Sequence, residues 1–548
     1  MSAPTIGGLL AAAEPAGARS LGELIDRLAN GNLLHGAREG GKAIGPAALA
    51  ALEIRGVSDD SRRIHSGGLF VAVRGAHVDG HDLVQEAADA GAVAAIVEQP
   101  LTAVSLPQVV VDRSPAALAD AAAWWYGDPS YELGVVGITG TDGKTTTSFL
   151  AVAALEAAGV SSGLLGTVET KIGTSREPNS EHTTTPGALE LQRALRAMVA
   201  AGNAAAVVET TSHGLAADRV RGIAYDAAIL TNLSHEHLEF HGSWEAYRDA
   251  KLSLFERLAV TERNPRKAAP EPAWPKVAVV NVDDPSAGLF VGVAQEAGAR
   301  IVTYGTDPAA DVRATHSEED ARGLRVAYDA PSGRGKLELR LGGRFNVHNA
   351  LAVVGLGEGL GLDATAVRAG LESVEGVPGR MERVDAGQPF GVVIDYAHSP
   401  ASLKEVLEVL APVAAARGGG LIAVFGSAGE RDVEKRPMMG RIAGERARMV
   451  IVTDEDPRGE DREAILDEIA RGAEAAGKRR GHDVLLVPDR PAAIAAAFER
   501  ARASDIVLLA GKGHEHSIIG PEGPVAYDER ATAVAALAGL GYGTNRAR

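Results

Sequence analysis

The sequence contains no cysteine among its 548 residues. This absence excludes disulfide bonds, thiolate catalysis and metal sites that depend on cysteine ligands. The chain also lacks any apolar stretch near the roughly 18–20 residues that a membrane-spanning helix needs. Its first residues, MSAPTIGGLLAAAEPAGAR, have no basic region before a short apolar run, so they do not resemble a secretory signal. These absences predict a cytoplasmic protein that does not insert into a membrane.

The charge balance is acidic, with a net charge of −17 at pH 7. This excess disfavours general binding to nucleic acid or to anionic membranes, because long-range repulsion would have to be overcome. A small anionic substrate remains compatible, since arginines, lysines and backbone N–H groups can be concentrated locally. The chain is too long for one hydrophobic core, so three domains are expected.

Hydrophobic patterns divide the chain into three α/β regions. In residues 1–133, short apolar runs alternate with helix-like segments, and the first fifty residues are interpreted as a loosely specified edge. In residues 134–376, buried-strand runs alternate with helices, which indicates a parallel sheet, and the proline-rich stretch 262–276 is predicted as a surface connection. In residues 377–548, four of five predicted strands open into polar or glycine-rich loops. Ligands of open α/β sheets bind beyond such strand ends.

The clearest motif is a glycine-rich loop between a predicted strand and a predicted helix, GITGTDGKTTT, from Gly137 to Thr147. Glycines let backbone N–H groups approach phosphate oxygens, a helix N-terminus adds positive potential, and Lys144 supplies a charge. Thr145 occupies the position whose hydroxyl usually binds Mg²⁺. The strict pattern GxxxxGK[ST] is not met, because Ile138 takes its first glycine position, and an ordinary turn is the alternative. The candidate phosphate-binding residues are Gly140, Thr141, Asp142, Gly143, Lys144, Thr145 and Thr146.

Two further predicted strands deliver polar residues to the same sheet edge. One ends in Glu209, followed by TTSHGL, and the other leads into TNLSHEHLEFHG, which contains His237. Mg²⁺ prefers oxygen ligands, so Glu209 is a candidate metal ligand. His237 is a weaker candidate because imidazole is not a favoured Mg²⁺ ligand, and its alternative role is a loop hydrogen bond.

A lysine lies within the apolar stripe of the predicted helix 243–258. Trp244, Tyr247, Phe255 and Leu258 share one face of that helix, and Lys251 lies in the middle of the stripe. Burying a lysine is costly unless it is paired or modified. The alternative is a side chain that reaches along the apolar surface to water.

Nine motifs follow one another in the order TGTDGKTTT, ETTSHGL, TNLSHEHLEFHGSWEAYRDAK, FNVHNALA, GVPGRMERV, DYAHSP, GERD, EDPRGED and GKGHE. In this combination the sequence resembles the Mur ligases, and among them the MurE type, from about residue 55 to residue 535. The resemblance implies an α/β protein of three domains: a small N-terminal domain that holds UDP, a central P-loop-type ATPase domain with a parallel sheet, and a C-terminal Rossmann-like domain. The expected boundaries are 1–133, 134–376 and 377–548.

The resemblance also implies a reaction and its participants. ATP would phosphorylate the D-glutamate carboxylate of UDP-N-acetylmuramoyl-L-alanyl-D-glutamate, and an amino acid would then attack the acyl phosphate, with Mg²⁺ as cofactor. An ionised carboxylate is a poor electrophile, so catalysis should rest on positioning and charge neutralisation. A monomer is expected.

Site residues follow from the resemblance by motif. It implies catalytic roles for Lys144, Glu209, His237 and Lys251, with Lys251 matching a lysine that family members carry as a carbamate. The implied metal ligands are Thr145, Glu209, His237 and carbamylated Lys251. Further nucleotide contacts are implied for Asn346, Asn349, Arg380, Asp395 and His398. The implied precursor-binding residues are Ser61, Arg62, Thr184, Thr185, Pro186, Ser212, His213 and Arg219.

The amino-acid site implied by the resemblance comprises Arg431, Glu455, Asp456, Pro457, Arg458, Gly511 and Glu515. MurE enzymes that add meso-diaminopimelate typically carry DNPR, whose arginine pairs with the distal carboxylate. Here the stretch is EDPR, so Arg458 is retained and suits bidentate carboxylate recognition. The added negative charge of Asp456 would instead suit lysine or ornithine. Diaminopimelate is the preferred expectation, and the other two remain open.

Three alternatives to this assignment remain. One is a related ligase of the MurF or folylpolyglutamate synthase type, against which DDSRR, GERD and EDPR argue together. Another is a non-catalytic protein that binds UDP-sugar-peptides, and the intact GKTT with Glu209 and Lys251 argues against it. A third is a P-loop phosphotransferase that needs no amine.

Overall fold

The computed structural model describes residues 4–75, 78–179, 183–234, 238–268, 270–271, 273–320 and 323–543. The chain divides into two compact units. The first unit comprises Met1–His316, Ala327–Leu337 and His348–Ser373. The second unit comprises Ser317–Val326, Glu338–Val347 and Val374–Arg548.

The N-terminal part of the first unit is built on a six-stranded sheet. Its elements are β1 (Arg19–Ser20), β2 (Leu34–Glu39), β3 (Lys42–Ile44), β4 (Glu53–Ile54), β5 (Gly56–Ser58), β6 (Gly68–Val71), β7 (Ala92–Val97), β8 (Gln108–Val111), α1 (Ile6–Ala12), α2 (Leu21–Asn30), α3 (Val84–Asp89) and α4 (Ser114–Trp125). The strand order is β3-β2-β8-β7-β6-β5, and the last four strands are parallel. Strands β6, β7 and β8 coincide with the predicted apolar runs because nearly every residue in them is buried.

The chain continues into a second, larger sheet. Its elements are β9 (Gly134–Thr139), β10 (Ser162–Leu165), β11 (Glu169–Ile172), β12 (Ser175–Pro178), β13 (Ala205–Glu209), β14 (Ala227–Leu230), β15 (Val277–Asn281), β16 (Arg300–Gly305), β17 (Val312–Asp320), β18 (Gly323–Ala330), β19 (Gly333–Leu339), α5 (Lys144–Ala157), α6 (Ala188–Ala200), α7 (Ser212–Ala216), α8 (Leu238–His241), α9 (Trp244–Glu256), α10 (Ala287–Glu296), α11 (Phe345–Leu360) and α12 (Ala364–Ser373). Its parallel core has the order β10-β13-β9-β14-β15-β16. The carboxyl ends of β13, β9 and β14 are therefore neighbours.

The interpretation of the first fifty residues as a loosely specified edge is wrong. Helix α2 buries Leu21, Leu24, Ile25 and Leu28 on one face, and the Ser20 hydroxyl caps its first turn. Helix α1 packs on α6 and on the hairpin formed by β11 and β12, which are more than 150 residues away in sequence. The sequence signal was weak because each short helix finds its apolar partners in other elements.

The prediction that residues 262–276 form a surface connection is also wrong for two lysines of this segment, which are buried. Lys267 and Lys276 are buried, and both ammonium groups contact the buried Asp226 carboxylate at the start of β14. The two lysines therefore hold the segment inside the first unit.

The second unit contains one predominantly parallel sheet. Its elements are β20 (Glu382–Arg383), β21 (Gly391–Asp395), β22 (Leu421–Phe425), β23 (Met449–Val452), β24 (Val484–Leu486), β25 (Ile506–Ala510), β26 (Ser517–Gly520), β27 (Gly523–Ala526), α13 (Pro400–Ala416), α14 (Lys435–Arg446), α15 (Arg462–Ala475), α16 (Arg490–Arg500) and α17 (Glu529–Gly539). The order is β20-β21-β25-β22-β23-β24. Because β25 lies between β21 and β22, the loops after these three strands meet at one edge.

The α/β class expected from the sequence is confirmed, since both units are built on mostly parallel sheets with helices between the strands. The proposed domain boundaries at 133/134 and 376/377 stay predictions. Across the described ranges, no helix combines the length and apolar character that crossing a bilayer requires.

Candidate active site

The glycine-rich loop joins β9 directly to α5 and requires glycine at two positions. Gly140 and Gly143 have φ angles of +151° and +80°, which L-residues with a side chain rarely adopt. A Cβ atom at Gly140 would lie 1.8 Å from Thr231 Oγ1, and one at Gly143 would lie 2.4 Å from Asn349 Oδ1. The backbone of the loop therefore packs closely against its neighbours, and α5 begins at Lys144 with its N-terminus at the loop.

Lys144 lies folded over this loop. Its Nζ atom donates hydrogen bonds to the carbonyl oxygens of Gly140 at 2.9 Å and Thr141 at 2.7 Å. The Thr141 hydroxyl contacts the buried Tyr247 hydroxyl at 2.8 Å and accepts the Ser234 N–H at 2.8 Å. Contacts with Lys144, Tyr247 and Ser234 thus fix the loop. Lys144, the one cationic side chain of the loop, lies at the N-terminus of α5, and such an arrangement binds phosphate.

Glu209 is fully buried at the end of β13, next to this loop. Its Oε2 atom accepts hydrogen bonds from the Thr145 hydroxyl at 3.0 Å and the Thr167 hydroxyl at 2.7 Å. Its Oε1 atom accepts the Ser148 hydroxyl and the Thr167 N–H, each at 3.1 Å. Sequence reasoning missed Thr167; the available signal was its position just after β10, on the same sheet edge.

Lys251 is 2% exposed, so the alternative in which it reaches water is wrong. Its Nζ atom donates to the Gly140 carbonyl oxygen at 2.7 Å and lies 4.5 Å from the centroid of the Tyr247 ring. The Lys144 ammonium contacts the same oxygen. The two ammonium groups therefore meet at one backbone oxygen and lie less than about 6 Å apart.

The residues around Glu209 fit a magnesium ion. Mg²⁺ is commonly held by one or two carboxylates together with substrate phosphates and waters, rather than by a complete protein cage. The Glu209 carboxylate and the Thr145 hydroxyl, 3.0 Å apart, supply such a partial set of oxygen ligands. Across the described ranges, no group of three or more histidine, aspartate or glutamate side chains is arranged to hold a metal. His237 lies outside the described residues.

Several of the residues matched to precursor binding lie beside Glu209. The Thr185 hydroxyl donates to the Glu209 carbonyl oxygen at 2.8 Å, and Arg219 donates to the Thr185 carbonyl oxygen at 2.9 Å. The Thr167 hydroxyl contacts the Thr184 hydroxyl at 3.0 Å. Pro186 follows Thr185 and is half-buried. The threonines and Arg219 thus form a polar wall next to the carboxylate.

An aromatic row extends this wall toward Lys251. Ser212 is buried at the start of α7, and the ring of His213 lies 4.1 Å from the half-exposed ring of Phe240. His241 lies 5.4 Å from both His213 and Tyr247. Ser212 and His213 are therefore near the same sheet edge as the phosphate loop, as expected.

Ser61 and Arg62 line a separate hollow in the N-terminal part of the first unit. This hollow has a volume of about 600 Å³ and is lined by Asp59, Asp60, Ser61, Arg62, Arg63, Val78, Leu83 and Glu86. The Ser61 hydroxyl donates to Glu86 at 2.8 Å, and Arg62 pairs with Asp60 at 2.9 Å. The hydrogen bond from Arg62 lowers the pKa of Asp60, while burial raises the pKa of Asp59.

The two asparagines matched to adenine binding lie on α11. Asn349 accepts a hydrogen bond from the Thr147 hydroxyl at 3.3 Å and packs against Gly143 of the phosphate loop. Asn346 belongs to the second unit and donates to the Gly342 carbonyl oxygen at 2.7 Å. The structure therefore brings Asn349 to the phosphate loop within the first unit.

The second unit gathers most of the remaining candidates around Tyr396. The Arg380 guanidinium lies 4.8 Å from the Tyr396 ring centroid, and the His398 ring lies 4.6 Å from it. The Tyr396 hydroxyl donates to Glu515 at 3.2 Å, and burial raises the pKa of Tyr396. The Asp395 carboxylate accepts two backbone N–H groups at 2.8 Å, which fixes the loop that carries this group.

A buried lysine neutralises part of the predicted amino-acid site. Lys512 is 1% exposed and donates to Asp456 at 2.8 Å and to Glu515 at 2.6 Å. Asp456 also accepts the Ile519 N–H at 2.9 Å, and the Arg458 backbone N–H donates to the Ile519 carbonyl oxygen at 2.9 Å. Lys512 was not anticipated from the sequence, although it lies within GKGHE.

Seven buried polar atoms of the second unit have no hydrogen-bond partner among the described residues: Arg380 Nε, Ser427 Oγ, Arg436 Nε, Glu455 Oε2, Arg458 Nε, His514 Nδ1 and Ser517 Oγ. Such atoms are usually satisfied by water or by a ligand. A Cβ atom at Gly511 would lie 3.4 Å from Glu455 Oε2, and Pro457 is buried beside Gly429. Arg431 is exposed, and no described hydrogen bond connects it to this group. Burial and, to a smaller extent, the positive charge of Arg380 lower the pKa of His514 to about 3.

Three family models match the chain: Mur ligase family, catalytic domain, over residues 53–126; Mur ligase middle domain, over 138–357; and Mur ligase, glutamate ligase domain, over 379–513. The UDP-N-acetylmuramyl-tripeptide synthetase of Roseiflexus sp. (strain RS-1) is 49% identical over 495 residues, covering 90% of this chain and 96% of that protein. The UDP-N-acetylmuramoyl-L-alanyl-D-glutamate–2,6-diaminopimelate ligase of Geobacter metallireducens is 42% identical, covering 86% and 91%. A solved structure of a ligase with this second name has a TM-score of 0.61 at 31% identity, covering 90% and 96%. The three matched segments agree with the expected three-domain organisation.

Proposed function

The chain belongs to the Mur ligase family, and from this premise we propose that it joins a diamino acid to UDP-N-acetylmuramoyl-L-alanyl-D-glutamate in an ATP-dependent reaction of the MurE type. One observation carries this proposal: the phosphate loop, the buried Glu209 carboxylate and two lysine ammonium groups converge at one sheet edge. That edge combines the groups that a triphosphate and a carboxylate need in order to react.

The reaction proceeds in two steps at this edge. The γ-phosphoryl group of ATP transfers to the D-glutamate carboxylate, which gives an acyl phosphate and ADP. The amine of the diamino acid then attacks the acyl carbon, so the C–N bond forms, the C–O bond to phosphate breaks, and phosphate and a proton leave. The protein's part is to position the two substrates and to neutralise their charge.

Each group in the first unit has a place in this scheme. Lys144 and the N–H groups of the loop and of α5 hold the phosphates of ATP. Thr145 and Glu209 hold Mg²⁺, which neutralises phosphate charge when it is bound. Lys251 carries a carbamate, which turns a cation that is 2% exposed to solvent into an anionic oxygen ligand next to the phosphate loop.

The precursor lies along the polar wall and the N-terminal hollow. Its peptide end contacts Thr184, Thr185, Ser212, His213 and Arg219. These residues lie beside Glu209, whose carboxylate must stay ordered during phosphoryl transfer. Ser61 and Arg62 contact its nucleotide end in the 600 Å³ hollow, whose size suits a nucleoside.

The amino acid binds beside Glu455 Oε2 and Arg458 Nε, two of the seven polar atoms of the second unit that have no partner among the described residues. Lys512 compensates the charge of Asp456, so the aspartate no longer favours an ammonium group in the way that the bare sequence suggests. Arg458 keeps its buried Nε atom without a partner among the described residues, and it suits a distal carboxylate. We therefore assign meso-diaminopimelate as the preferred substrate. Glu455, whose buried Oε2 atom is also unpartnered, favours L-lysine or L-ornithine as the second candidate.

The decisive experiment measures amino-acid-dependent phosphate release with ATP and the UDP-linked dipeptide. We expect turnover with meso-diaminopimelate, a tripeptide product by mass spectrometry, and almost no phosphate when the amino acid is omitted. Turnover with lysine or ornithine but none with diaminopimelate would overturn the substrate assignment. Phosphate release that needs no amine would indicate a phosphotransferase or hydrolase, and turnover only with glutamate or D-alanyl-D-alanine would indicate a related ligase.

A substitution at Arg458 tests the carboxylate contact. Arg458→Lys should raise the KM for diaminopimelate by roughly tenfold or more, because one ammonium cannot form a two-point contact with a carboxylate. The KM for ATP should stay near its original value. Arg462→Lys is the matched control, since Arg462 pairs with Asp454 near this loop. Equal kinetics of Arg458→Lys and the unchanged protein would remove Arg458 from the specificity site.

A further inference from the structure

An acidic turn after β15 is bound to the end of β14, close to the phosphate loop. The Asn281 side chain donates to the Thr231 carbonyl oxygen at 2.7 Å, and the Leu233 N–H donates to Asp284 at 2.5 Å. Thr231 in turn donates from its hydroxyl to the Asp142 carbonyl oxygen in the phosphate loop at 2.6 Å. A short chain of hydrogen bonds therefore connects this turn to the loop that holds phosphate.

Asp283, in the same turn, is a hydrogen-bond acceptor for two other segments. Its carboxylate accepts the Thr306 N–H and hydroxyl, both at 2.8 Å, and the Asp307 N–H at 3.0 Å. His348 Nε2 lies 2.7 Å from Asp283 Oδ2. Burial raises the pKa of Asp283, but the hydrogen bonds from His348 and Thr306 outweigh it and lower the pKa, so the carboxylate is ionised and His348 donates to it.

His348 precedes Asn349, the residue of α11 that packs against the phosphate loop. Asn349 accepts from Thr147 at 3.3 Å and would lie 2.4 Å from a Cβ atom at Gly143. The first turn of α11 is therefore held on one side by Asp283 and on the other by α5. Loss of either contact would let this turn rotate or move away from the loop.

We propose that the pair Asp283–His348 is a positioning device for the nucleotide: it holds the first turn of α11 so that Asn349 stays against Gly143. Neither residue touches the reacting atoms. Their effect passes through the backbone of α11, because adjacent residues on a helix share one rigid turn. This inference rests on the proposed ATP-dependent activity and adds two positioning residues to its nucleotide site.

The test is a set of substitutions at His348, which has one-third of its side chain exposed and can be changed without opening the core. His348→Ala should raise the KM for ATP by roughly three- to tenfold, the size expected for the net contribution of one typical hydrogen bond. The kcat and the KM values for the dipeptide precursor and the amino acid should stay within twofold. His348→Gln keeps an N–H donor and should recover much of the ATP affinity.

A binding measurement separates this inference from the proposed reaction. The Kd of ADP, measured by calorimetry without any other substrate, should rise for His348→Ala by the same factor as the KM for ATP. The matched control is Arg313→Ala, which removes a surface pair of similar exposure, Arg313–Asp329 at 3.2 Å. It should leave the KM for ATP and the Kd of ADP unchanged.

The possible results are distinguishable. If the unchanged protein binds ADP but forms no amide product, the proposed function fails and the positioning pair is still tested by the Kd of ADP. If His348→Ala lowers the melting temperature but keeps the original Kd of ADP, the pair is structural only and the inference is wrong. If all three KM values rise together, the effect is not specific to the nucleotide, which also contradicts it.

Discussion

At the scale of single residues, the candidate site is defined by where charge is buried. Lys144 and Lys251 both donate to the Gly140 carbonyl oxygen, and Glu209 lies fully buried one strand away. Cationic groups at the N-terminus of a helix favour anionic ligands, so the arrangement suits the phosphates of a nucleotide.

Replacing Lys251 tests this charge argument. Lys251→Ala should lower kcat at least a hundredfold, because the position loses both its contact with the phosphate loop and its carbamate oxygen. Short carboxylic acids such as acetate should restore part of the activity by supplying an oxygen ligand in the vacated space. Lys404→Ala, at an exposed lysine, should change nothing. Full activity of Lys251→Ala, or the absence of any rescue, would contradict the carbamate assignment.

His514 makes the stability of the protein depend on pH. Its pKa is about 3 in the folded protein, whereas an unfolded histidine has a pKa near 6.5. Between these values only the unfolded chain binds the proton, so the folded state loses up to about 1.4 kcal/mol per unit of falling pH. Thermal unfolding of the original protein should therefore shift further between pH 7.5 and pH 5 than that of His514→Gln. Identical shifts for the two proteins would show that His514 is not held neutral.

At the scale of secondary structure elements, the sequence predicts the buried strands well. Ala227–Leu230, Leu421–Phe425 and Met449–Val452 are continuous apolar runs in the sequence and strands in the structure, because a parallel strand buried on both faces is apolar throughout. The carboxyl ends of such strands then locate the loop at Gly140 and the carboxylate of Glu209. Both groups could be expected at one edge from the sequence alone.

The elements that sequence reasoning missed depend on partners far away along the chain. Helix α1 has one buried side chain, Ile6, and its N-terminal N–H donates to the Glu177 carboxylate at 2.8 Å. No feature of the sequence around residue 6 predicts this contact with residue 177. Thr167 was missed for a similar reason, since its place beside Glu209 follows only from the order of β10 and β13 in the sheet.

Two neighbouring substitutions in α1 test whether this helix is docked. Ile6→Ala should destabilise the protein by about 2 kcal/mol, because Ile6 is 5% exposed and belongs to the apolar cluster that contains residues of α6 and β11. Gly7→Ala should stabilise it by about 0.5–1 kcal/mol, since the new methyl group would meet no atom within 4 Å and alanine favours helix. Denaturant unfolding of both variants measures the effects. No loss of stability in Ile6→Ala would mean that α1 is detached in solution.

At the scale of the whole first unit, a buried charge cluster ties the segment 262–276 to the sheet. Lys267 donates to the carbonyl oxygens of Ser130, Leu133 and Ala224 at 2.7–2.8 Å, so it bridges the end of the N-terminal part and the start of the larger sheet. Asp226 contacts both Lys267 and Lys276 and also accepts the Val135 N–H at 2.8 Å. Burial lowers the pKa of Lys267 to about 8 and also lowers the pKa of Lys276.

This cluster contains two cations and one anion, so replacing the anion and replacing one cation should lower the free energy of unfolding by different amounts. Asp226→Asn leaves two buried ammonium groups without a counter-charge and should cost about 3–5 kcal/mol of unfolding free energy. Lys276→Met leaves the neutral pair Asp226–Lys267 and replaces the side chain by an apolar one of similar length, so it should cost much less. Denaturant unfolding of the two variants gives the comparison. If Lys276→Met proves as destabilising as Asp226→Asn, hydrogen bonds rather than charge balance hold the segment in place, because each variant removes hydrogen bonds but only one leaves unpaired charge.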